Sequence, residues 1–200
     1  MLGDPVVFWI LRLLLFAVLF FCGKSISKSS DKSFMSYLWI AIIFFALIEG
    51  LRWMRGTDYE NYLNHFTLGV SEKSEPLYNL FISSIHSLGI NPTIVFVFLS
   101  GFLLYGLGLN FKNLKAAALW GLPLIYLMLG YQAENLVRQY FAISFLGLAY
   151  YNYYKDRYLW MLGCLAVAPL IHVSGILGSF FFLLFSWKKI LLYHNWFLIS

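Results

Sequence analysis

The sequence predicts an all-α protein, a polytopic transmembrane helix bundle with an outer-face loop that carries interfacial or re-entrant helices. Three observations lead there. Hydrophobic residues make up 61% of the chain, aromatic residues 20% and charged residues only 12%, against about 25% charged in soluble domains. That leaves too little polar surface to cover a globule, so most side chains face lipid or one another. The apolar residues are gathered into runs approaching the roughly 20 that a helix needs to cross about 30 Å of hydrocarbon. Finally, the 14 Lys and Arg fall between these runs rather than on one polar face, so the net charge of +5 marks loops and gives no reason to expect a nucleic acid partner.

Taken in order, the runs are residues 5–22, 34–51, 92–111, 116–131, 136–154, 158–170 and 174–187, with a polar loop over 52–91. The first is not a cleaved leader, since Met1 to Pro5 carries no cation, Arg12 lies inside the run and the small residues of a cleavage site are missing after Leu19. Cytoplasmic loops collect Lys and Arg. Lys24, Lys28, Lys32, Lys112, Lys115, Lys155, Arg157, Lys188 and Lys189 are therefore placed inside, with the amino terminus outside. The opposite face is net negative, with Asp4, Glu49, Asp58, Glu60, Glu72, Glu75 and Glu134 against Arg52, Arg55, Lys73 and Arg138. Arg12, within its run, reads as a snorkelling or packing residue facing the inner leaflet or the bundle.

Sidedness constrains two segments. An odd number of crossings must separate Arg52 from Lys112, and residues 92–111 supply one. Residues 76–90 then read as an interfacial or re-entrant helix, because about 15 residues reach only about 22 Å and Asn79, Ser83, Ser84 and His86 are polar. Residues 158–187 begin and end among inner cations, so they enter and return, with Pro169 and Gly175 flanking a bend around His172. Non-helical backbone at membrane depth is tolerated only when buried in protein or lining a cavity, which makes the bend a candidate site. The alternative is one long tilted helix with Lys188 outside. Residues 190–200 read as the start of a further apolar segment.

The loop opens on Arg52, Arg55, Gly56, Thr57, Asp58, Tyr59 and Tyr62. Thr57 with Glu60 forms a capping box, and Tyr59, Tyr62, Leu63 and Phe66 make an apolar stripe at helical spacing. Two arginines and a glycine directly ahead of a helix amino terminus can converge on an anion, phosphate above all. A second polar group, Gln132, Glu134, Asn135, Arg138 and Gln139, opens a crossing helix, with Glu134 and Arg138 spaced for an i, i+4 salt bridge. Arg138 lies deeper, where an ionisable side chain is a functional hypothesis by default. His172 is equally readable as a proton-transfer group or as a satisfied buried histidine. No pair of histidines has ligand spacing, Cys22 and Cys164 both sit in apolar runs, and there is no phosphate-binding or dinucleotide fingerprint. Neither metal nor cofactor is expected.

The pattern R-x-x-x-G-T-D-Y-x-x-Y-x-x-x-F from Arg52 to Phe66, then Glu75, then Asn135-x-x-Arg138-Gln139, then His172-x-Ser174, resembles the EpsG family of bacterial polysaccharide polymerases, related in function to O-antigen polymerases of the Wzy type. The resemblance covers roughly residues 35–186 and is to the amino-terminal portion of the family's longer members. It implies a glycosyltransferase in the bacterial cytoplasmic membrane that joins undecaprenyl-diphosphate-linked repeat units at the outer face, in the company of membrane lipid and other polysaccharide-assembly proteins. The expected roles follow that chemistry. Arg52 and Arg138 would hold the diphosphate, and Asp58 or His172 would serve as base or orient the acceptor. Tyr59 and Tyr62 would border the sugar, with Arg55, Gly56, Thr57, Glu75, Asn135, Gln139 and Ser174 among the binding residues. A lipid-linked glycan flippase and a noncatalytic subunit of an assembly complex are the competing classes.

Overall fold

A computed structural model describes residues 5–51, 56, 58–71, 75–130 and 136–197, with backbone alone at 5 and 187–197. Among these residues the fold is a bundle of α-helices with no strand. Two long helices open it, α1 over Pro5–Ser27 and α2 over Asp31–Gly50. The turn between them is fixed by Ser30, whose hydroxyl accepts from the Ser33 N–H at 3.3 Å and caps α2. Two short helices follow, α3 over Tyr59–Leu68 and α4 over Pro76–Ser87. Helix α5, Pro92–Gly108, starts on a capping Asn91 and a proline in its first turn and runs on as a 3₁₀ turn to Lys112. Helix α6, Ala118–Ile125, contains Pro123 and widens into a π turn at Tyr126–Gly130. Helices α7, Val137–Tyr154, α8, Tyr158–Ile171, and α9, Ser174–Phe197, complete the bundle.

Helix α5 is the shared wall, packed on α2 to one side and on α7 to the other. The approach of α5 to α7 is set by small residues. A Cβ on Gly147 would lie 2.6 Å from the Gly106 carbonyl oxygen, so only glycine fits. Asn110 ties the two backbones together by donating to Gly106 O at 3.1 Å and Gly147 O at 3.0 Å. One apolar core joins α1, α2, α5 and α6 around Leu19, Phe34, Phe45 and Leu122. A second lies under α3 and α4, where Phe66, Tyr78, Ile82 and Phe96 pack against α7 and α8.

Three helices, Val6–Ser27, Asp31–Gly50 and Pro92–Lys112, are long and apolar enough to cross a membrane, and shorter apolar helices occupy 115–130, 158–171 and 174–186. Large apolar side chains also stand exposed on the bundle's flanks, among them Trp9, Leu13, Leu159, Trp160 and Phe185. The chain is a membrane protein. Charged groups mark two ends of the bundle. At one, the Lys115 ammonium pairs with the Asp31 carboxylate and donates to the Ser29 carbonyl at 3.1 Å, with Lys112 and Lys155 near enough to act on Asp31 electrostatically. At the other lie α3, α4 and the amino terminus of α7.

Of the two readings of Arg12, inner leaflet or bundle, the structure takes the second. The residue is 9% exposed inside the bundle, with Nη2 3.7 Å from Oε2 of the fully buried Glu49 and its guanidinium over the Phe8 ring. Glu49, counted above with the outer loop, is thus the counter-charge of an ion pair between α1 and α2. At residues 172–173 the chain doubles back. His172 is extended (φ −153°, ψ 135°), Gly175 lies against Ala168, and the Ser179 hydroxyl donates to Leu165 O at 2.8 Å, so α8 and α9 form an antiparallel hairpin.

Candidate functional site

Three helix ends meet at the end of the bundle remote from Lys115: the start of α4, the start of α7 and the turn between α8 and α9. Each contributes to one polar group. Glu75 is the residue before Pro76 at the head of α4. Arg138 is the second residue of α7, where a cation meets the positive end of a helix dipole and needs an anion to offset it. Its Nη1 lies 2.5 Å from Glu75 Oε2, the two side chains being 13% and 12% exposed. The other carboxylate oxygen of Glu75, Oε1, faces His172 Nε2 at 3.7 Å.

His172 is held from behind. Ser174, which opens α9, donates its backbone N–H to His172 Nδ1 at 3.2 Å and has its hydroxyl 2.8 Å from the same atom. A ring nitrogen that accepts from a backbone N–H carries no proton, so the neutral imidazole bears its hydrogen on Nε2, toward Glu75. The group therefore reads Arg138, Glu75, His172, Ser174 in space, gathered from positions up to 99 residues apart.

Beneath Arg138 lie two tyrosines. The Tyr62 hydroxyl is near enough to act on the guanidinium, and the ring of Tyr78 stands 5.6 Å below its carbon, within cation–π range. Tyr78 is fully buried and its hydroxyl meets His65 Nδ1 at 3.2 Å. Burial pushes its phenol up from the ordinary value, with the neighbouring Tyr62 adding to the shift and Arg138 opposing it.

The remaining sequence-predicted residues are distributed as follows. Tyr62 is 4% exposed, so its ring belongs to the core while its hydroxyl serves Arg138. Tyr59 stacks on Phe96 with centroids 5.4 Å apart. Asp58 is the residue before α3, one position after the predicted cap, and its carbonyl rather than its carboxylate accepts, from Tyr62 N–H at 3.0 Å. Gly56 adopts φ 94°, a conformation that favours glycine. Gln139 is half-buried in the first turn of α7 and takes no part in the described bonds of this group. Arg52, Arg55, Thr57 and Asn135 lie outside the described residues, as does Glu134, and the partner found for Arg138 is Glu75.

A cavity of about 440 Å³ adjoins Arg138 and is lined by Asn61, Asn64, His65 and Leu68 of α3 and by Val70 and Ser71 beyond it. The reversal that brings residues 70 and 71 round is made by Gly69, in the left-handed region at φ 71°. The Gly69 carbonyl accepts from the Ser83 hydroxyl at 3.1 Å, and a Cβ there would meet His86 Cβ at 2.8 Å. None of these cavity residues was singled out from sequence as binding. The signal was present in the spacing of Asn61, Asn64, His65 and Leu68 at i, i+3, i+4 and i+7, a second face on a helix already read for its apolar one.

No curated protein and no solved structure matches the chain. Among protein-family models, that of the EpsG family matches residues 35–200, a span that contains the three helix ends and the cavity. By that match, which takes in most of its length, the chain belongs to the EpsG family.

Proposed function

We propose that the chain is a membrane polysaccharide polymerase, a glycosyltransferase that joins undecaprenyl-diphosphate-linked oligosaccharide repeat units at the outer face of the bacterial cytoplasmic membrane. The end of the bundle bearing Lys115 faces the cytoplasm and the Glu75 end faces outward. The observation that carries the reading is the convergence of Arg138, Glu75 and His172 beside a polar-lined cavity. These are a cation for a departing diphosphate and a carboxylate for a proton.

In this reading an acceptor hydroxyl attacks the anomeric carbon of the donor. The bond from that carbon to the diphosphate oxygen breaks, and the hydroxyl proton passes to Glu75, whose Oε1 is steadied by the Nε2–H of His172. As Glu75 becomes neutral, Arg138 loses its internal counter-ion while negative charge builds on the leaving lipid diphosphate, so the guanidinium becomes available when it is needed. Arg52 is assigned to the same diphosphate. The test is chain growth from lipid-linked repeat units by purified protein in vitro. Arg138→Ala and Glu75→Gln should each lower the rate at least a hundredfold, about the loss when a transition-state donor or general base is removed. Full-length polymer from either variant, or movement of substrate between leaflets without chain growth, overturns the assignment.

A further inference from the structure

Helix α3 has two faces, and the chemistry of the second is unexplained by the machinery above. Tyr62 and Phe66 turn inward to the core. Asn61, Asn64, His65 and Leu68 instead line the 440 Å³ cavity that reaches Arg138, a volume within the range of about 300–1,000 Å³ of small-molecule sites. Among the described residues its polar groups are two carboxamides, an imidazole and the Ser71 hydroxyl, with the Arg138 guanidinium at one end. Carboxamides spaced one helical turn apart offer both donors and acceptors, the pattern that adjacent sugar hydroxyls require. Leu68 and Val70 supply an apolar wall for the C–H face of a ring.

We infer that this cavity is a saccharide subsite, in which Asn61 and Asn64 hydrogen-bond the hydroxyls of the sugar residue next to the reacting centre and so select which glycan is joined. The inference rests on the polymerase reading and deepens it. Diphosphate alone would call for cations along this wall, and α3 presents neutral hydrogen-bonding groups there. Asn61 and Asn64 are both exposed on a helix whose packing is carried by its other face, so truncating them leaves the fold intact and alanine favours the helix.

The test uses the full chain in lipid nanodiscs and two kinds of probe. A panel of methyl hexosides, methyl N-acetylhexosaminides and methyl hexuronides, read by saturation-transfer NMR, reports on the cavity. Undecaprenyl diphosphate, carrying no sugar, reports on the anion site. One glycoside class should bind the unaltered protein. Asn61→Ala and Asn64→Ala should each weaken that binding about fivefold, the effect of one net hydrogen bond, while undecaprenyl diphosphate binds as before and Asn113→Ala at the opposite end changes neither. Absence of glycoside binding, or equal binding to the double variant, overturns the subsite. Glycoside binding that follows Asn61 and Asn64 in a protein that does not bind undecaprenyl diphosphate supports the subsite and overturns the diphosphate assignment instead.

Discussion

Glu75→Gln preserves the shape of a side chain and removes its charge, leaving the Arg138 guanidinium 13% exposed, at the wrong end of a helix dipole and without its anion. A hydrogen bond to a charged group contributes about 1.5–3 kcal/mol, and stripping one partner from a fully buried pair costs about 3–5 kcal/mol. The Tyr62 hydroxyl and the Tyr78 ring remain beside the guanidinium, so the cost falls below the fully buried range, at about 2–3 kcal/mol. Arg138→Met leaves a carboxylate that can take up a proton, and its cost should be smaller, about 1–2 kcal/mol. In the double variant neither charge remains to be stranded. Its loss should fall below that of Glu75→Gln alone, a coupling of about 2 kcal/mol. Unfolding at fixed detergent and lipid composition measures all four proteins. If the single losses add to within about 0.5 kcal/mol, the two residues are not partners. The double variant also separates stability from chemistry, since it should fold nearly as well as the original protein and yet make no polymer.

Further outcomes follow from the geometry. Gly69→Ala forces a Cβ into the left-handed region and against His86, and should destabilise the protein by about 1–2 kcal/mol, read as a lower melting temperature. At the contact of α5 with α7, Asn110→Leu should cost about 1–2 kcal/mol through lost bonds to Gly106 and Gly147, whereas Gly147→Leu should prevent accumulation of folded protein, as followed by size-exclusion chromatography. Arg12→Leu should destabilise strongly, and adding Glu49→Leu should restore most of the loss, because the pair buried between α1 and α2 is replaceable by apolar packing but not divisible. Because burial raises the Tyr78 phenol from its ordinary 10.0, the folded state holds that proton more tightly than the unfolded one. Stability is then full below pH 10.0 and declines as pH rises above it, a decline that Tyr78→Phe should reduce in an alkaline unfolding series.

What could be read from sequence depended on whether the relevant physics was local. The helices of the bundle follow from runs of apolar residues, and the hairpin of α8 and α9 was legible because Pro169, Gly175 and the flanking cations all act within a few residues of the turn. Arg138 was identifiable as a functional candidate for the same reason, being an ionisable group beside an apolar run. Its partner was not. Helical spacing points from Arg138 to Glu134, while the carboxylate found on it comes from Glu75, 63 residues away, a pairing decided by how α4 and α7 pack. The same limit applies to Arg12 and Glu49, the first readable alone as facing the leaflet or the bundle and the second as part of the outer face, and recognisable as a pair only when α1 lies against α2. The cavity face of α3 was overlooked for a different reason, namely that Asn61 and Asn64 look like the solvated side of an interfacial helix until Gly69 folds the chain back over them.

The helix that leads to His172 is short. At about 1.5 Å per residue the 14 residues of α8 rise only about 21 Å, well under the roughly 30 Å of a bilayer's hydrocarbon. Such a hydrophobic mismatch is relieved by thinning the surrounding lipid or by sinking the turn beneath the headgroup level. Thinning brings the headgroup phosphates down to the level of His172, Glu75 and Arg138, so that, in the proposed polymerase reading, a lipid-borne diphosphate meets them by lateral diffusion with its isoprenoid chain still in the bilayer.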